Sequence, residues 1–346
     1  NLLGDKYTQD MVDDLYLGLI RNFKRNFWFI LAQLAASPVA DKSYVSGRSH
    51  DLDELNADDV FLPNATSLRM SNIGYQSPIQ TSLGIRYNSL AGFIESVNKG
   101  IKMPHPDFKD LGLYDDDDDR HQISDGIIQI ENELYDTIRP KRTSSDGLRP
   151  SNALKEHGIE YVEVRGVDVS PDALGGISKD QMRLMDLFLI HCFVSESPEL
   201  TDKENIQLQK NHTDMVASGR NNSTMIFFKG NMVSSGSAMV DLVNELELLA
   251  KNLDGDNDHY SKALRTITTM ENQSAAILRS IKDNKSFHDV AFEKSMQNTN
   301  ELRQNNSLDL GYLELEKEES LKRFKDIEDN PHKDIEAYVE QYNSQI

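Results

Sequence analysis

The sequence predicts an α+β protein, with strands and helices mixed over residues 1–200 and helices dominating residues 201–346. Three observations predict it. A long opening segment carries apolar residues at three- and four-residue steps, the spacing of a helix. Two later segments, Ile127 to Tyr135 and Gly158 to Val169, carry the alternation or the β-branched richness of strands. Beyond Pro198 the strand signals fade and long polar helical stretches take over.

The opening helix runs from Tyr7 to Leu34, with Met11, Leu15, Leu19, Ile20, Phe23, Phe27 and Ile30 along its apolar side. Ser37-Pro38 ends it, because proline has no amide hydrogen and disfavours helix in the residue before it. Ser43 to Asp59 reads as loop, and Tyr87 to Val97 as a helix. The run Asp115 to Asp119 reads as a solvated loop, since a block of like charges repels itself. In Ile127 to Tyr135, Gln129, Glu131, Glu133 and Tyr135 fall on one face, and Ile128, Ile130 and Leu134 on the other. Ser178 with Gln181 three residues on is a capping box, opening a buried helix through Leu184, Leu187 and Phe188. Asp202 to Ser218, Ala238 to Asn252, Tyr260 to Asp283 and Leu310 to Tyr342 read as further helices, with one short strand at Thr224 to Phe228.

A chain of 346 residues can bury a substantial core. Its formal net charge of −20 repels nucleic acid and anionic membrane, so neither is an expected partner. A nucleotide stays admissible, because a few local arginines and a divalent metal reverse the field inside a cleft. The single cysteine, Cys192, rules out an internal disulfide and points to a reducing cytoplasm. The longest apolar run, Phe27 to Ala36, is too short for a membrane helix. The chain opens on Asn1 rather than Met, and the native start is expected upstream.

The segment GIEYVEVR, Gly158 to Arg165, carries the sharpest chemistry. As a strand it sends Ile159, Tyr161, Glu163 and Arg165 to one face. A divalent metal on Glu163 and a phosphate on Arg165 would satisfy both charges; a salt bridge on a solvated sheet face is the plainer alternative. In ENELYDTIRPKR, Glu131 to Arg142, an acidic stretch is followed by Arg139, Lys141 and Arg142, which either neutralise a triphosphate or form a basic surface turn. In LPNATSLRMSNIGYQS, Leu62 to Ser77, Arg69 and Tyr75 have the donor types that recognise a small amino acid. Asp254, Asp256 and Asp258 imitate a calcium loop but lack its glycine and its final glutamate, with His259 and Arg265 at those positions. Cys192 beside His191 reads as an apolar core residue, because adjacent helical residues do not face each other.

Taken together, these segments closely resemble the gammaproteobacterial glutamate–cysteine ligase family. Beside the three segments above, the matching stretches are Ala35 to Pro38, SLGIRYNSL (Ser82 to Leu90), the continuation of GIEYVEVR to Pro171, and MRLMDLFLIHC (Met182 to Cys192). The resemblance implies a glutamine-synthetase-like fold, in which a curved antiparallel sheet forms a funnel with helices outside. It implies that ATP phosphorylates the γ-carboxylate of L-glutamate and that the amine of L-cysteine attacks the acyl phosphate. Arg165 is similar to an arginine on the transferring phosphoryl group, and Glu163 to a magnesium-binding glutamate. Arg69, Tyr75 and Tyr135 are similar to cysteine-pocket residues. Arg139, Lys141 and Arg142 are the candidates for ATP, and Glu131 and Glu133 are further candidates for Mg2+. The family's chain begins with a segment of further acidic metal ligands that has no counterpart in this sequence. The chain is therefore expected to be a fragment inactive by itself, and a monomer. Two other readings stay open: a related ligase with a different amine acceptor, and a non-catalytic binding module.

Overall fold

The computed structural model describes residues 7–143, 148–281, 285–304, 310–329 and 334–346. Helix α1 (Gln9–Leu34) is its axis. Thr8 caps it, its side chain accepting from Met11 N, and the helix ends at Ala35 just before Ser37-Pro38. It buries Leu17, Ile20, Phe23, Phe27, Trp28 and Ile30.

The stretch read as loop after it folds into a small antiparallel sheet. Strands β1 (Val39–Asp41), β2 (Asp53–Glu54) and β3 (Asp59–Phe61) run in the order β1-β3-β2, with helix α2 (Lys42–Val45) between the first two. Val39 and Val60 are buried, so short apolar anchors were enough to recruit a polar segment. Helices α3 (Pro78–Thr81), α4 (Leu90–Lys102) and α5 (Pro106–Leu111) follow. Helix α4 starts three residues later than Tyr87, because Ser89 provides the cap by accepting from Gly92 N. The aspartate run is an exposed turn, in which the Asp115 carboxylate accepts from Asp117 N and Asp119 N.

Ile127 to Tyr135 is not a strand. Ile127 N and Ile128 N donate to carbonyls at the end of α4, and Glu131–Glu133 form a single 3-10 turn. Gln129 N donates to the Glu133 carboxylate at 2.7 Å, a local bond that competes with a ladder partner. The strand lies further on. Strand β4 (Ile138–Lys141) pairs antiparallel with β5 (Tyr161–Val164), across helix α6 (Pro150–His157).

Helix α7 (Lys179–Val194) opens on the expected capping box of Ser178 and Gln181. Helix α8 (Asp202–Ser218) matches its expected bounds. Strand β6 (Met225–Phe228) forms a hairpin with β7 (Asn231–Ser234), which the sequence reading missed. Helices α9 (Ser235–Asp254), α10 (His259–Thr269) and α11 (Gln273–Ser280) come next. The single helix expected over Tyr260 to Asp283 breaks at Asn272, whose side chain caps α11 by accepting from Ser274 N and also donates to Ala32 O. Its last two residues lie outside the described residues. Helices α12 (Phe287–Gln304), α13 (Leu310–Asp329) and α14 (Ile335–Asn343) complete the chain, with residues 330–333 of the expected final helix outside the described residues.

The core forms where α1 meets α7. Phe188 lies 5.7 Å from Phe23, edge-on, and 5.6 Å from Phe29, stacked. One buried cluster runs from Leu17 through Phe188 to Leu242 and Leu264, crossing residue 200 without a break. Cys192 is buried in it, and burial pushes its thiol pKa up. Among the described residues no helix is long and apolar enough to cross a membrane.

Candidate active site

The register of β4 against β5 sets Arg139 opposite Glu163 and Lys141 opposite Tyr161. Alternation then gives Arg139, Lys141 and Glu163 one face, and Arg165 follows on the same face just past β5. Arg165 N donates to Thr137 O at 2.8 Å, which extends the ladder to it. Three cations converge on one oxygen. Arg165 Nη2 is 3.0 Å from Glu163 Oε2, Lys141 Nζ 3.3 Å and Arg139 Nη2 3.6 Å. That oxygen is buried without an aligned hydrogen bond, so these contacts are ion pairs.

One carboxylate cannot neutralise three cations. The cluster is a local positive spot in a chain of net charge −20, suited to an anion of more than one charge. Burial alone would raise the Glu163 pKa, but Arg165 and Lys141 outweigh it and hold the group below the usual range. Burial lowers the Arg139 and Lys141 pKa values, and the neighbouring cations, Arg165 for the first and Arg139 for the second, lower them further. Arg139 is nearly inaccessible, and its Nη1 donates to the carbonyls of Glu131 at 3.2 Å and Leu134 at 2.9 Å. Rigid carbonyls therefore fix its guanidinium.

An aromatic wall adjoins this cluster. Arg165 Nη1 donates to the Tyr75 hydroxyl at 3.0 Å. The Tyr75 and Tyr135 rings lie 4.7 Å apart, tilted by 40°. The Arg69 guanidinium sits 5.7 Å from the Tyr75 ring centre. Gly74 permits the turn that folds Tyr75 over Arg69. Tyr75 N donates to Arg69 O at 2.5 Å, and a β-carbon at Gly74 would lie 2.2 Å from that carbonyl oxygen.

Arg69 is itself anchored. Its Nε donates to Asp168 Oδ1 at 2.6 Å, and its Nη2 to the carbonyls of Arg165 at 3.1 Å and Val167 at 3.0 Å. The buried Asp168 also accepts from Ala36 N and from the hydroxyls of Ser37 and Ser67. The sequence reading missed Asp168. The signal was an acidic residue flanked by Val167 and Val169, directly after the informative strand.

Not every expected residue joins the cluster. The Glu131 carboxylate is buried on Arg149 Nη2 at 2.5 Å and accepts from Ser151 N at 2.7 Å and Ser151 Oγ at 2.6 Å. Glu133 accepts from Gln129 N. Arg142 lies past the end of β4, where Glu160 feels its charge. Among the described residues no group of three or more His, Cys, Asp or Glu side chains could hold a metal ion. Glu163 already pairs with three cations, and these residues by themselves do not fit a metal centre.

A cavity of about 800 Å3 opens beside the aromatic wall, lined among others by Lys24, Met70, Tyr135, Asp136 and His212. It shares Tyr135 with the cluster but contains none of Arg69, Glu163 and Arg165. At its edge Lys24 Nζ contacts both oxygens of Asp136, at 2.8 and 2.9 Å, and the Tyr87 hydroxyl donates to Asp136 Oδ2 at 2.6 Å. The charges of Arg139, Lys141, Glu163 and Arg165 converge on the strand pair rather than in this cavity.

Comparison with known proteins gives the family. The model of the glutamate–cysteine ligase family matches residues 1–215. A glutamate–cysteine ligase of Pseudomonas putida is 35% identical over 98% of this chain and 66% of its own length. That of Pseudomonas entomophila is 39% identical over 76% of this chain and 50% of its own. The chain thus spans between half and two-thirds of these relatives. The crystal structure of glutamate–cysteine ligase from Francisella tularensis in complex with AMP superimposes with a TM-score of 0.86 at 27% identity, over 96% of this chain and 67% of that one. A bifunctional glutathione synthetase from Pasteurella multocida, 18% identical, shares the fold with a TM-score of 0.61. A family match over more than half the chain, and relatives this similar that carry the same name, establish that the chain belongs to the glutamate–cysteine ligase family.

Proposed function

We propose that this chain forms part of the active site of an ATP-dependent ligase that joins the γ-carboxylate of L-glutamate to the amine of L-cysteine. In this reading the γ-phosphoryl group of ATP passes to a carboxylate oxygen and ADP leaves. The cysteine amine then attacks the acyl carbon and phosphate departs. The observation that carries the reading is the convergence of Arg139, Lys141 and Arg165 on Glu163 beside the Tyr75–Tyr135 pair.

Arg165 holds the phosphoryl oxygens with its planar fork while charge moves onto them. Arg139 and Lys141 offset the repulsion between triphosphate and carboxylate. Arg69 and the two tyrosines orient the acceptor, so that the amine approaches the acyl carbon. Magnesium, which the resemblance implies, would shield the phosphates; its candidate ligand Glu163 is already paired with Arg139, Lys141 and Arg165. The family's curved-sheet funnel, a change from mixed to helical structure near residue 200 within one continuous core, a monomeric state and a cytoplasmic location belong to the same proposal.

The test is cysteine ligation dependent on ATP and glutamate, measured on this chain and on a full-length ligase containing it. The full-length protein is expected to turn over, and the chain alone to bind its ligands without turnover. Robust turnover by the chain alone would mean that it holds the whole catalytic machinery. No turnover by either would end the ligase reading. A related ligase with another amine acceptor is favoured by one observation. Arg69 Nε and Nη2 are already committed to Asp168 and backbone carbonyls, which leaves Nη1 for an acceptor carboxylate. Replacing cysteine by other small amines in the same assay separates the two.

A further inference from the structure

Helix α14 is fastened at both ends. Arg120 grips Glu336 with Nε at 2.7 Å and Nη2 at 2.8 Å. At the other end Gln345 accepts from Arg149 N through its side chain at 2.9 Å, and from Asn152 Nδ2 through its carbonyl at 3.0 Å. Between them, the Tyr342 hydroxyl accepts from Glu131 N at 2.9 Å, while the Arg149 guanidinium lies 4.9 Å from the Tyr342 ring centre.

Glu131 is the meeting point. Its amide holds Tyr342, its carboxylate holds Arg149 and Ser151, and its carbonyl accepts from Arg139 Nη1. Every hydrogen-bonding group of this one residue is used, and β4, the start of α6 and α14 meet on it. The turn it opens also ends at Leu134, whose carbonyl is the second acceptor for Arg139 Nη1, and Tyr135 follows directly.

We propose that helix α14 is a positioning element of the anion site: Tyr342, acting through Glu131, sets the turn whose carbonyls aim Arg139 at Glu163. Tyr342 bonds Glu131 N and lies against Arg149 rather than in the cluster itself. Its role is to remove slack from a guanidinium that must meet a polyanion in one orientation, and small displacements at such a group are costly. This rests on the reading of Arg139 as an ATP contact.

The test is titration of the purified chain with ATP and magnesium, and separately with cysteine, for the unaltered chain, Tyr342→Phe and Arg139→Ala. Thermal unfolding is measured on each. Phenylalanine keeps the ring under Arg149 and removes the hydroxyl, with its bond from Glu131 N. Tyr342→Phe is expected to weaken ATP binding about five-fold, the scale of one hydrogen bond, with cysteine binding unchanged. ATP affinity unchanged by Tyr342→Phe but weakened by Arg139→Ala would overturn this proposal and leave the ligase reading standing. Equal weakening of both ligands with a lowered melting temperature would make α14 merely structural, and overturn it too. ATP binding absent from the unaltered chain, or untouched by Arg139→Ala, would overturn both.

Discussion

The Arg165 guanidinium and the Tyr75 hydroxyl are joined by a 3.0 Å hydrogen bond, and that bond couples the charged strand face to the aromatic wall. The other end of the same guanidinium pairs with Glu163. One side chain thus links the proposed phosphoryl and acceptor subsites, and its planarity lets it do both at once.

Arg165→Lys is therefore expected to uncouple them. Lysine keeps the charge but cannot hold Glu163 and Tyr75 together in a fixed plane. In a full-length ligase containing this chain, turnover should fall by roughly 10² or more. Steady-state kinetics checks it. An unchanged turnover number would return Arg165 to the role of a surface ion pair.

Arg69→Ala should act on two readouts. Asp168 is buried and loses its cationic partner, so the chain should lose about 1.5–3 kcal/mol of stability. Chemical denaturation reports this. In a full-length ligase the Michaelis constant for cysteine should also rise more than those for glutamate and ATP. Equal rises for all three would assign Arg69 to the fold alone.

Asp136 should shape the acid limb of stability. Burial alone would raise its pKa, but Lys24, then the hydrogen bonds from Tyr87 and Thr137 N, hold it below the ordinary 3.8. The unfolded chain then takes up this proton at a higher pH than the folded one. The resulting stabilisation is complete above the ordinary value and is lost as pH falls through the lower folded one. The melting temperature should hold down to about pH 5 and drop below about pH 4. Asp136→Asn should start lower at neutral pH and fall less steeply. Acid limbs of equal slope for the two proteins would remove Asp136 as the cause.

Gly166→Ala tests the seat of the strand on α1. A β-carbon there would lie 2.3 and 2.5 Å from ring carbons of Phe27, which is buried and stacked on Phe23 and His212. The ring has no room to retreat, so a cost of about 1–3 kcal/mol is expected. Because Gly166 follows Arg165, nucleotide binding should weaken as well. Fluorescence of the single tryptophan, Trp28, buried in the same core, follows the unfolding. A variant as stable as the parent would mean that β5 is loosely seated.

What the sequence determined by itself was local. Apolar periodicity predicted α1, the capping box of Ser178 and Gln181 predicted the start of α7, and a long polar helical stretch predicted α8, because each signal lies within the helix or at its end. The two-residue period placed Glu163 and Arg165 on one face for the same reason: β5 makes that choice within five residues. Tertiary structure decided the rest. Ile127 to Tyr135 alternates like a strand, yet Glu131 is drawn to Arg149 and Ser151 and Ile127 to the end of α4, partners at least 18 residues away in sequence, so a turn forms instead. Arg139 and Lys141 became one cluster with Glu163, and Arg142 did not, only because the ladder register assigned the face. Asp168 became the anchor of Arg69 through groups on two distant segments, Ala36 with Ser37 and Ser67 with Arg69. Such contacts leave no periodic trace in a sequence, since their partners are set by packing rather than by neighbouring residues.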